Sequence, residues 1–78
     1  MKNKEEEKEF EIRAYDKVEL ALLYCPGRSG ETALRTLLRW IRQCAPLMEA
    51  LEEIGYNNRR HRFLRQEVER IVRFLGEP

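Results

Sequence analysis

Arg35, Arg39 and Arg42 recur at spacings of four and three in the stretch ALRTLLRWIRQC, residues 33–44, interleaved with Leu34, Leu37, Leu38, Trp40 and Ile41. A guanidinium presents a flat fork of donors that fits phosphate oxygens, carboxylates and the O6 and N7 edge of guanine. On a helix turning about 100° per residue the three arginines fall within roughly 60° of arc, flanked by Thr32, Thr36 and Gln43. Ala33, Leu34, Leu37, Leu38, Trp40, Ile41 and Cys44 form a broad apolar face on the other side. Such a stripe either solvates an ordinary amphipathic helix or grips a polyanion. A second cationic group, Arg59, Arg60 and Arg62, surrounds His61 in the segment RRHRF.

The net charge of +1 conceals this segregation. Residues 28–44 carry four arginines against Glu31, and residues 59–73 carry six against Glu67 and Glu69, whereas residues 45–54 hold only Glu49, Glu52 and Glu53. Beyond Lys17 every cation is arginine. Arginine in place of lysine favours bidentate recognition over plain solubility.

Other chemistry is poorly provided for. His61 is the sole histidine, lies among arginines, and has no nucleophile beside it in sequence. Ser29 lacks a nucleophile-elbow pattern and reads as a turn or cap residue; Cys25 has no evident base. Zinc normally takes four Cys or His ligands, and the chain owns three such residues. No glycine motif for cradling phosphates is present. The expectation is a protein without catalytic role, metal or cofactor. Cys25 and Cys44 are expected as free thiols, because two unpatterned cysteines do not make a disulfide framework.

The elements that must position these residues are helical. With 78 residues, 42% hydrophobic and 37% charged, the chain suits one small, well-solvated domain, too small for a spacious cleft. Residues 1–9, nearly all charged, read as a flexible tail, and 10–78 as a single globular domain. Phe10 and Ile12 alternate with Glu11 and Arg13, which suits a very short strand or arm. Asp16 stands where a helix N-cap would, ahead of Val18, Leu20, Ala21, Leu22 and Leu23, and Cys25-Pro26-Gly27 ends that first helix. Ser29 or Thr32 is expected to cap the arginine-bearing second helix, 32–44. Ala45-Pro46 breaks it and opens a third, to about Ile54, closed by Gly55. Arg59 to Phe63 is expected as a basic loop or strand, and a last helix runs from Leu64 or Arg65 to Leu75, burying Val68, Ile71, Val72 and Leu75. The expected fold is therefore mainly α, a small four-helix domain of helix-turn-helix type with a minimal two-stranded element pairing about 10–14 with 60–63.

The segments FEIRAYDKVELALLY, ALRTLLRWI, LMEALEEIGY and QEVERIVRFLGEP resemble a family of short uncharacterised proteins of gut bacteria, a domain of unknown function. That resemblance implies identity without an activity. Glu19-Leu20-Ala21, Leu34-Arg35, Gly55-Tyr56 and His61-Arg62-Phe63 also look like the winged helix-turn-helix of MerR-type regulators and phage excisionases. The likeness implies DNA contact, and the chain departs from it by the helix inserted at 46–54 and by lacking a coiled-coil tail.

The sequence thus points to a non-enzymatic, double-stranded DNA-binding helix-turn-helix protein, a transcriptional or mobile-element accessory factor. Arg35, Thr36, Arg39, Arg42 and Gln43 would face the groove, with Arg59, Arg60 and Arg62 gripping the backbone. The alternative is a protein-interaction module or homodimer that uses Trp40, Phe74 and the acidic 49–53 face against the arginines. No apolar run reaches the roughly 20 residues of a membrane span, and the charged N-terminus does not resemble a secretory signal, so a cytoplasmic location is expected.

Overall fold

The structure, a computed structural model, describes residues 10–78; the tail expected at 1–9 lies outside the described residues. The elements in chain order are β1 (Tyr15–Asp16), α1 (Lys17–Tyr24), α2 (Gly30–Gln43), α3 (Ala45–Glu53), β2 (Arg62–Phe63) and α4 (Arg65–Leu75). Among the described residues, four helices and a two-stranded antiparallel sheet make the domain mainly α.

Each boundary has a local cause. Asp16 takes the extended N-cap conformation of α1, although its side chain makes no capping hydrogen bond. Gly27, at φ +86°, turns the chain between α1 and α2 in a region that other residues enter only with strain. Ser29 then caps α2: its hydroxyl oxygen accepts from the Thr32 amide at 3.2 Å, with Glu31 in the positive first turn. Pro46 stands in the first turn of α3, where its missing N–H costs nothing. Gly55, at φ +78°, ends that helix, its N–H donating to Glu52 O.

The sheet forms, with β2 inside the segment anticipated for it, but its partner is Tyr15–Asp16 just after residues 10–14; Tyr15 opposes Phe63 and Asp16 opposes Arg62. The preceding arm is bent back instead of pairing. Phe10 stacks on Tyr15 with centroids 5.5 Å apart, and the Tyr15 hydroxyl donates to Glu11 O at 2.8 Å. Those contacts fold residues 10–14 over β1, so their backbone cannot also run alongside β2.

The core gathers one face from every element: Leu20 and Ala21 of α1, Ala33, Leu37 and Ile41 of α2, Leu47 and Leu51 of α3, Phe63 of β2, Val68 and Ile71 of α4. An eight-residue helix can bury only one stripe, so α1 leaves Val18, Leu22 and Leu23 exposed. The α1 and α2 helices approach closely at Gly30, where a Cβ would stand 2.9 Å from the Val18 Cγ1 methyl. Val72 and Leu75, expected inside, are only partly buried on the margin of the core. Cys25 is buried, Cys44 half-buried, and both are free thiols. Among the described residues no helix is long and apolar enough to cross a membrane.

The end of α4 is tied to α1 by Tyr24, whose hydroxyl donates to Gly76 O while its ring meets Trp40 edge to face at 6.4 Å. Burial, and after it the negative charge of Glu77, pushes the Tyr24 hydroxyl up to about 12 from 10.0. Folding therefore favours the neutral phenol. The resulting stability is whole below the unfolded value, near 10, and is lost as pH rises towards 12. Tyrosinate absorbance in alkaline titration should show a late phase near pH 12, and Tyr24→Phe should remove that phase. A titration curve that Tyr24→Phe leaves unchanged at its alkaline end would refute the buried phenol.

Candidate nucleic-acid interface

The spacing that buries Ala33, Leu37 and Ile41 turns Arg35, Arg39, Arg42 and Gln43 outward, and all four are exposed; Thr36 is half-buried on the flank. Arg35 meets Glu31 one turn earlier at 3.7 Å, with side chains 66% and 86% exposed. A pair so wet is worth roughly 0.3–0.5 kcal/mol, too little to withhold the guanidinium from a polyanion. Arg39 and Arg42 have no carboxylate within ion-pair distance among the described residues. Arg35 and Arg42 also line a shallow concavity of about 260 Å³ with Glu31, Leu34 and Leu38. That volume, open on one side, is too small to enclose a drug-sized molecule.

The second cationic group is held by two charged residues that lie inside the protein. Lys17, only 6% exposed, donates from Nζ to the Tyr56 hydroxyl at 3.0 Å and to Asn58 O at 3.3 Å. The same ammonium lies 4.9 Å from the Tyr56 ring centroid and 5.3 Å from that of Phe63, so aromatic faces supply part of the solvation it gave up. Its backbone N–H donates to His61 O at 2.8 Å. Tyr56 is joined to α3 by its amide, which donates to Leu51 O, while its ring stacks on Phe63 at 6.1 Å.

Glu67, 1% exposed, receives Arg60 through both oxygens, at 3.3 Å on Oε1 and 2.7 Å on Oε2, and its Oε1 also accepts from the Leu64 amide at 2.8 Å. That last bond is the glutamate half of a capping box at the start of α4. The Glu67 hydrogen bonds push the Arg60 guanidinium higher still, so it stays charged at any ordinary pH. Arg60, expected as a backbone grip, gives two guanidinium donors to this buried carboxylate while its side chain stays partly exposed. Arg62 is 3.9 Å from Asp16, an exposed and weak pair, and Arg59 and His61 are exposed. Among the described residues no hydrogen bond or ion pair links the α2 arginines to residues 59–62; each group is held by its own surroundings.

The sequence reading does not single out Lys17 or Glu67. A glutamate three residues after Leu64, at the opening of an apolar periodic run, is the available signal for Glu67; Lys17, the last lysine, offers none. Trp40 and Phe74, the residues of the alternative reading, are 37% and 40% exposed.

Fold and surface define a small mainly α domain with a cationic outer helix and a clamped basic loop. A family model described as a domain of unknown function, DUF4248, matches residues 11–78, and the chain belongs to that family. No curated protein and no solved structure matches it.

Removing the Glu67 carboxylate takes the acceptor from the Leu64 amide at the start of α4 and frees the partly exposed Arg60 guanidinium to turn to water. Glu67→Ala should lower the free energy of unfolding by roughly 1–3 kcal/mol in urea titration, the cost of lost hydrogen bonds at a buried acceptor, and Glu67→Gln by less, since its carbonyl still accepts from Leu64 N–H. A loss below about 1 kcal/mol for the alanine variant would show that the clamp is dispensable.

Proposed function

We propose that this is a non-enzymatic double-stranded DNA-binding domain of the helix-turn-helix type, in which α1 supports α2 and α2 enters the major groove. The observation that carries the reading is the outward face of α2, where Arg39 and Arg42 stand exposed without a carboxylate partner among the described residues and Arg35 is only loosely paired. Arg39 and Gln43 have the donor and acceptor sets to read guanine and adenine edges. Arg59 and Arg62, presented by the loop that Lys17 and Glu67 fix, would take phosphates beside the groove, as a wing does. A cytoplasmic transcriptional or mobile-element accessory role agrees with this assignment.

A second reading rests on a different observation: Trp40 and Phe74 are exposed, and so are Glu49, Glu52 and Glu53 of the acidic segment. Two copies could set acidic and basic faces together.

Salt dependence separates the two. If Arg35, Arg39, Arg42, Arg59 and Arg62 each neutralise one phosphate, log affinity for duplex DNA should fall against log salt with a slope of roughly −4.5. Arg39→Ala should weaken binding and, if its contact is to phosphate, reduce the slope by about 1; if it reads a base, the loss should instead depend on sequence. No binding to duplex at micromolar protein, together with a dimer in sedimentation, would reject the DNA reading for the self-associating one.

A further inference from the structure

The concavity on α2 is an odd design for holding phosphates alone. It is lined by Leu34 and Leu38, both half-buried, together with Arg35, Arg42 and Glu31. A carboxylate repels phosphate, and two leucyl side chains offer it nothing. A base-pair edge in the major groove presents what these residues complement: guanine acceptors for guanidinium, a cytosine amino donor for carboxylate, and the C5 methyl of thymine, the one apolar group there.

We infer that the Leu34–Leu38 pair is a reader of the thymine methyl group, so that α2 prefers duplex sites in which a thymine is set against Leu38 with Arg35 and Arg42 nearby on the helix. This rests on the DNA reading above and goes beyond it, because it assigns a base type to a named apolar contact. The charges support this occupant: each guanidinium can engage a neighbouring phosphate or guanine while the leucines remove one methyl from water. Leu38 stands three residues after Arg35 and four before Arg42, on the same face of α2, so one docking of the helix brings all three to the same groove.

Selection from a randomised duplex pool yields a preferred sequence, and each thymine in it is then replaced singly by deoxyuridine, which deletes the methyl and leaves the hydrogen-bonding edge unchanged. At one thymine, methyl removal should weaken binding about fourfold, the worth of one buried methyl. Leu38→Ala should erase the difference between thymine and deoxyuridine at that position. The wild-type comparison alone carries the test should Leu38→Ala not fold. Duplex binding with the expected salt slope but equal affinity for both bases at every position overturns the thymine assignment and leaves the DNA reading standing. Absence of any duplex binding overturns both. A dimer in sedimentation that Leu38→Glu dissociates would give this leucine pair to a second copy of the chain and also overturn the assignment.

Discussion

Two charges inside the protein constrain everything that follows α3. Lys17 and Glu67 are almost wholly removed from water, and neither can be left there unpaired without a cost of several kcal/mol. Each is satisfied by the chain between Gly55 and Leu64: Lys17 by the Tyr56 hydroxyl and Asn58 carbonyl, Glu67 by Arg60 and the Leu64 amide. A segment with one two-residue strand and little other regular structure is thereby fastened at both ends. Its path is fixed less by backbone pairing than by the requirement that buried charges find partners.

This fastening divides three neighbouring arginines into different tasks. Arg60 turns inward to Glu67, whereas Arg59 and Arg62 remain outside, Arg62 only loosely engaged by Asp16. A run of like charge that looks uniform in sequence is therefore part clamp and part surface. The α2 helix divides its residues more simply, by angle. Leucine, isoleucine and alanine at one phase of the helical turn join the core, and the arginines at the opposite phase meet solvent. Along the margin between those phases, Leu34 and Leu38 are neither inside nor fully outside. That margin gives the cationic surface an apolar component, and a partner that matches it must carry both negative charge and a hydrophobic group.

Packing between α1 and α2 supports this arrangement from beneath. Gly30 opens α2 where Val18 leaves no space for a Cβ, and Ser29 fixes the first turn. The direction of α2, and with it the aim of its arginines, follows from a short turn, a cap and one close approach.

Helix positions and breakers are determined by neighbouring residues, and the sequence alone therefore suffices for the four helices, the outward arc of Arg35, Arg39 and Arg42 and the free thiols, and narrows the α2 cap to Ser29 or Thr32, of which the structure takes Ser29. The strand pairing is legible with its first partner displaced, because whether Phe10 pairs or folds back on Tyr15 depends on a ring contact that alternation does not encode. The candidate site is legible where it lies on one helix and illegible where it depends on distant residues. Nothing local marks Lys17 for burial beneath a loop whose Tyr56 lies 39 residues further along the chain, and nothing in RRHR separates Arg60 from its neighbours. Tertiary structure decided both, since a charge is accepted inside only where groups remote in the chain converge to replace its water.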